Sequence, residues 1–361
     1  MTNLSYLAFS HFLGIGPMKF KAIKDKFGQV DKGYWAKQKD LKEILGNSLT
    51  EKFIHFRRHF DSQKKLKELR EKNITVIDCD NKRYPPTLKN ISDPPICLYI
   101  KGNVEFFDFE KEFFLAIVGT RRPTSYGEQI VRKLTADLGA AGFNIVSGMA
   151  LGIDALAHRA ALEAKAKTIA VLGCGVDIVY PALNFQLYQE IIKKRSLIIS
   201  EFPPGQTVLK GLFIARNRII SGLVKGVLVV EGARDSGSLI TARYAAEQGR
   251  VVFATPGPIT SQMSEAPNIL LKQGAKLVTS VEDILEEFNL RFLPQKTKET
   301  EAKLTPKEKE IYKRLKFQPK LVDELVEETK ISVNIILNLL SALEIKGIVQ
   351  KNQNGRYQII L

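Results

Sequence analysis

The sequence predicts an α/β fold: an extended Rossmann-like parallel sheet, flanked by a small N-terminal helical domain and a C-terminal winged helix. Three observations carry that expectation. Short apolar runs at 114–118, 144–146, 168–172, 197–200, 227–230 and 251–253 alternate with helix-period stretches, the pattern of strands buried on both faces by crossover helices. The first two runs each end in a glycine-bearing turn that opens a helix, Gly119-Thr120-Arg121 and Ser147-Gly148-Met149-Ala150-Leu151-Gly152. Helical periodicity fills the chain before the first strand, and a three-helix pattern followed by a hairpin closes it. The expected division is a helical domain at 1–72, the sheet domain at 73–288, a linker at 289–303 and the winged helix at 304–361.

Composition narrows the function classes. The chain has 361 residues and a formal net charge of +15, which favours a polyanionic partner. The excess is spread along the chain rather than gathered in a tail. The 3 cysteines, Cys79, Cys97 and Cys174, lack metal-ligand spacing and are odd in number, so they read as buried thiols rather than a disulfide framework or a zinc site. No secretory leader pattern opens the sequence and no apolar run reaches the ~20 residues of a membrane span, so a cytoplasmic protein is expected.

At the N-terminal end, Leu13-Gly14-Ile15-Gly16-Pro17 followed by Lys19, Lys21, Lys24 and Lys26 has the form of a helix-hairpin-helix. Its amides could meet a phosphate, or the glycines could merely join two short helices. A charged helix over 62–72 leads to a strand at 74–79. Prolines at 85, 86, 94 and 95 then exclude helix and fix an extended entry into the next strand.

In the sheet domain the two glycine turns place Gly119, Thr120, Arg121, Ser147, Gly148, Ala150 and Gly152 at one sheet edge, where open α/β folds bind ligands. Gly119 is followed by Thr-Arg rather than x-Gly-x-x-Gly, so the dinucleotide fingerprint is missing and hydride transfer is not the first choice. Asp154 is the expected N-cap of the helix after the second turn. His158, four residues on, has no nucleophile placed beside it and reads as a packed side chain.

The run 213–223, with Lys210 before it, adds Phe213, Arg216 and Arg218 to the same edge, cations spaced to track a nucleic-acid backbone. Arg218 could equally pair with Glu201 or Glu231. Ser236 to Ser238 opens a further helix as another anion site, and Gly249 is placed to end it. Consecutive Ile269, Leu270 and Leu271 have more apolar surface than one buried stripe requires, although ordinary core packing would also use it.

The C-terminal unit begins with Thr305 capping a helix at Pro306. Two further helices, at 321–328 and 333–346, and a hairpin complete a winged helix, but the third helix is mostly apolar, a poor DNA reader and a better protein contact.

The strings VGTRRPTSYG, SGMALGIDALAHRAAL and FIARNRIISGL, with the YPPTL and DPPICLYIKG segments, resemble the DprA/Smf family of bacterial DNA-processing proteins, over nearly the whole chain. The resemblance implies a sterile-alpha-motif-like N-terminal domain and a non-catalytic homodimer, in contact through Ile269, Leu270 and Leu271, with no cofactor and no metal. It implies binding of single-stranded DNA, protection of incoming strands during natural transformation, loading of RecA, and work beside single-strand-binding protein. Arg121, Lys210, Arg216 and the 148–152 amides would hold the backbone, with Phe213 or Phe185 stacking on bases. Where the family has a glycine before the helix ending in Gly274-Ala275, this chain keeps only Asn268. The alternative is a nucleotide-binding or nucleotide-hydrolysing enzyme of the related lysine-decarboxylase-like superfamily. Pro256-Gly257-Pro258-Ile259 lacks the second glycine of the PGGxGT loop of such enzymes. A third reading is a winged-helix regulator that senses a nucleotide.

Overall fold

The computed structural model describes residues 3–290, 304–315, 320–346, 348–351 and 355–359. They fall into two compact units, 1–290 and 291–361.

The first unit opens with six helices, α1 (Leu4–His11), α2 (Pro17–Phe27), α3 (Val30–Tyr34), α4 (Gln38–Leu45), α5 (Asn47–His59) and α6 (Ser62–Glu71). Phe9 organises them: it lies edge-on to Phe20 and Tyr34 and stacks on Phe53 at 5.2 Å between ring centroids. Gly16 and Pro17 form the expected start of α2. This helical region shares one continuous core with the sheet that follows. Polar ties reinforce it: the Asp80 carboxylate receives Lys24 at 2.7 Å and also the Tyr6 hydroxyl, and Asp78 accepts the Asn3 amide.

The sheet has nine strands among the described residues: β1 (Thr75–Asp78), β2 (Cys97–Lys101), β3 (Phe113–Val118), β4 (Phe143–Ser147), β5 (Thr168–Val171), β6 (Leu197–Ser200), β7 (Gly226–Val229), β8 (Val251–Ala254) and β9 (Lys276–Leu277). Their order is β1-β2-β6-β5-β4-β3-β7-β8-β9. β3 to β9 pair in parallel, whereas β2 joins β6 and β1 antiparallel. The proline-bearing segment between β1 and β2 is not free of helix as expected: Pro86 opens the short α7 (Pro86–Lys89), at a position where no backbone N–H is needed, and the two strands it joins extend the sheet. Helices α8 (Ser125–Ala140), α9 (Ile153–Glu163), α10 (Phe185–Lys193), α11 (Lys210–Gly222), α12 (Gly237–Glu247), α13 (Glu265–Lys272) and α14 (Val281–Glu287) connect the parallel strands or follow them. The order reverses at β3, with β4 on one side and β7 on the other, which creates a switch point at their carboxyl ends.

The second unit holds α15 (Pro306–Leu315), α16 (Val322–Thr329), α17 (Val333–Ile345) and the hairpin β10 (Val349–Lys351) with β11 (Tyr357–Ile359), a winged helix. Thr305 and Glu308 cap α15 reciprocally, the threonine amide reaching the carboxylate at 2.8 Å. The expected linker lies largely outside the described residues.

Candidate nucleic-acid interface

A cleft of about 750 Å³ opens at the switch point, lined by the end of β3, the loops after β4, β5 and β7, one side of α11 and the start of α12. It gathers Gly119, Thr120, Arg121, Ala150, Lys210, Phe213 and Arg216 of the expected set. It also takes in Ser236 to Ser238, the expected anion site, and adds Arg122, Tyr180 and Asn217, which the sequence did not single out as contacts. Arg121, Arg122 and Lys210 are exposed. No carboxylate of the described residues pairs with any of the three. Phe213 and Tyr180 meet at 5.4 Å between centroids. The signal for Arg122 was its place beside Arg121; for Tyr180 it was the aromatic before Pro181.

The glycine turns act differently from the expectation. Asp154 does hold the second turn, but α9 is capped at Gly152, with φ +76°, and Asp154 sits two residues into the helix. Its carboxylate accepts the amides of Gly148 at 3.1 Å and Ala150 at 3.3 Å, so those two amides already have a partner within the chain. Gly152 needs no side chain because a Cβ there would strike the Thr120 carbonyl and the Arg121 backbone. The Ser147 hydroxyl is buried and donates to the Ile117 carbonyl at 2.6 Å, a lock between β4 and β3 rather than a ligand contact.

The first turn is closed in the same way. Glu231, after β7, accepts the Thr124 amide at 2.9 Å and its hydroxyl at 2.6 Å, and Thr124 in turn caps α8. That carboxylate takes the place of an external anion at the α8 terminus, and Gly127 is glycine because a Cβ would collide with it. The two helix ends that resembled phosphate cradles thus carry the protein's own carboxylates, leaving cationic side chains to meet a ligand.

Two of the expected cations need correcting. Arg218 is buried; its guanidinium donates to Glu201 at 2.7 and 2.8 Å and to Asp93 at 2.8 Å. Burial pulls its pKa down, but the two carboxylates outweigh it and raise it above the ordinary value. It joins the proline-bearing segment to β6 and does not line the cleft. Arg216 does line the cleft, yet it too is buried, donating to the Gly148 carbonyl at 2.6 Å and to the Val171 carbonyl. Burial lowers its pKa to about 10 against the opposing pull of Asp154, so it stays charged at neutral pH. Burial raises the Asp154 carboxyl in turn, with Arg216 opposing. Gly148 lies between the two: an added Cβ would come within 2.7 Å of both the guanidinium and the carboxylate.

His158 is fully buried, and its Nδ1 faces the Thr168 hydroxyl at 2.6 Å. That hydroxyl donates to the Ile145 carbonyl, so the ring supplies the Nδ1 proton, and Nε2 has no partner. Desolvation lowers its pKa to about 3, a neutral packed histidine as expected, although it packs on β5 rather than on the turn. Cys174 is buried and its thiol is pushed up to about 11 by desolvation, the opposite of an activated nucleophile. Among the described residues no cluster could hold a metal ion. On α13, Leu270 belongs to the core, a correction to its place in a dimer contact; Ile269 and Leu271 are half-buried.

These features define an extended Rossmann-type α/β protein with a basic cleft at its switch point and a winged helix following in sequence. The family model described as DNA recombination-mediator protein A matches residues 75–289, and the DprA winged helix domain model matches 295–355. Protein Smf of Synechocystis is 33% identical over 389 residues, covering 98% of each chain. The X-ray structure of DprA from Streptococcus pneumoniae superposes with a TM-score of 0.69 at 36% identity, over 81% of this chain and 99% of that one. A Helicobacter pylori DprA structure, whose subject is single-stranded DNA binding, gives 0.54 at 32% identity over 60% and 95%. The chain belongs to the DNA recombination-mediator protein A family, the DprA/Smf proteins, and its role is of the DprA DNA-processing type.

Proposed function

We propose that this protein binds single-stranded DNA in the switch-point cleft, without catalysis, and hands the strand to RecA for recombination during natural transformation. The observation that carries the reading is the exposed trio Arg121, Arg122 and Lys210 around a cleft that also presents Phe213 and Tyr180. Cations neutralise phosphates, and aromatic faces accept unpaired bases at about 1–3 kcal/mol each. The family's description as a recombination mediator, and the single-stranded DNA bound by the Helicobacter pylori relative, support it. RecA delivery, protection of incoming strands and cooperation with single-strand-binding protein rest on the family alone. A homodimer through Ile269 and Leu271 belongs to the same proposal.

The non-catalytic reading rests on the chemistry of the acidic groups beside the cleft. The Asp154 and Glu231 carboxylates hold backbone amides, which leaves Asp235 as the exposed carboxylate of the cleft lining, one acid where hydrolysis by general acid and base needs a pair. The test is fluorescence anisotropy with a mixed-sequence single strand, its duplex and free nucleotides across a salt series. Salt-dependent preference for the single strand is expected. Tight nucleotide binding with indifference to DNA would favour the related nucleotide-processing enzymes instead.

A further inference from the structure

The loop between β5 and α10 is built inside out. Asn184 is 2% exposed, while the flanking Leu183 and Phe185 are 78% and 55% exposed. Single exposed apolar residues need no explanation, but two of them bracketing a buried amide reverse the usual order of burial. The cause is a polar tie: the Asn184 side chain donates to the Met149 carbonyl at 2.9 Å and the Ala150 carbonyl at 3.3 Å, pinning this loop to the turn that lines the cleft. Behind it, Leu187, Tyr188 and Ile191 anchor α10 in the core, and the Tyr188 hydroxyl donates to the Val176 carbonyl. Leu183 and Phe185 are thus held outward on a rigid mount.

The same loop carries Tyr180, which is itself in the cleft wall against Phe213. Leu151, at the tip of the pinned turn, is also exposed. Leu183 and Phe185 thus share a loop with the cleft-wall residue Tyr180, and the Asn184 between them is tied to Ala150, which lines the cleft next to Leu151 in the chain. A strand whose phosphates are gripped there has its unpaired bases free to turn to one side. That continuity with a basic cleft commits the occupant.

Building on the single-strand reading above, we propose that Leu151, Leu183 and Phe185 form a ledge outside the cleft on which further unstacked bases of the same strand rest. The ledge adds contacts that a duplex, with its bases paired inward, cannot make. Apolar contact with bases is insensitive to salt, whereas the cationic contacts are not, so the two contributions separate experimentally.

The test compares a 20-nucleotide thymidine strand with an abasic deoxyribose-phosphate strand of equal length, using the full chain and its Leu183→Ala/Phe185→Ala double variant. Wild type is expected to prefer the base-bearing strand. The double variant should bind that strand roughly tenfold more weakly, the effect of about one stacked base, with an unchanged salt slope and unchanged affinity for the abasic strand. That unchanged abasic-strand affinity excludes misfolding as the cause of the loss, and Phe185→Trp, which keeps an aromatic face, should retain binding. If wild type binds the thymidine strand and the double variant binds it equally well, the ledge is refuted while the cleft stands. If wild type binds neither strand, the single-strand reading itself fails.

Discussion

Replacing Arg218 separates a structural cation from a DNA-binding one. Its side chain is 6% exposed and meets Glu201, 10% exposed, and Asp93, 32% exposed. Arg218→Met keeps most of the stem's volume but leaves the Glu201 carboxylate buried without its counter-charge. Removing one partner of such a pair costs about 3–5 kcal/mol, whereas the half-exposed Asp93 adds little because water can replace its partner. The loss should depend on pH. Burial already raises the Glu201 carboxyl, and Arg218 is the group that opposes that rise. In the variant the folded-state pKa climbs further above the unfolded value, so the folded state takes up a proton first. The deficit is then full above the raised pKa and shrinks as pH falls through it. Equilibrium urea unfolding by circular dichroism at pH 7 and pH 5 measures both effects. Adding Glu201→Gln should recover part of the loss. A deficit below about 1 kcal/mol, together with a fall in the salt slope of DNA binding, would return Arg218 to the DNA-contacting set.

His158 contributes a second pH effect of opposite form. Its folded pKa is lowered to about 3, so the stability it confers is present above its unfolded pKa and is lost as pH falls from there toward 3. Between those limits one extra proton is bound on unfolding. The slope of stability against pH should be flatter in His158→Leu by about 1.4 kcal/mol per pH unit between pH 6 and pH 4, and equal slopes would refute this origin. Leu270→Ala should cost about 2–5 kcal/mol as a core truncation and leave the association state unchanged. Ile269→Ser/Leu271→Ser should shift association in sedimentation equilibrium; a monomeric wild type would remove the proposed dimer contact.

The strands were legible because buried parallel strands are written locally: Phe113 to Val118 is apolar throughout, and its burial follows that run. The switch point was legible from the glycine turns that end β3 and β4. The fate of the charges was legible in part. The pairing of Arg218 with Glu201 was one of the two readings of that arginine, and it is the one found. Arg218 also meets Asp93 at a separation of 125 residues and Thr124 meets Glu231 at 107, contacts that no local pattern could show. Arg216 and Arg218 looked alike on a helix beside Lys210, but the sheet edge buries both and leaves Lys210 out. Ile269 to Leu271 read as surplus apolar surface because the sequence does not show that α13 lies on β8, where Leu270 fills the core.

In the proposed function, Arg121, Arg122 and Lys210 of the switch-point cleft hold the phosphates of the strand. The most direct test is the salt dependence of single-strand affinity for wild type and for the Arg121→Ala/Arg122→Ala/Lys210→Ala variant. Each lost phosphate contact on a single strand lowers the slope of log K against log salt by about 0.7, so three contacts predict a fall of about 2 with much weaker binding at low salt. A variant with the slope and affinity of wild type would place the DNA elsewhere on the molecule.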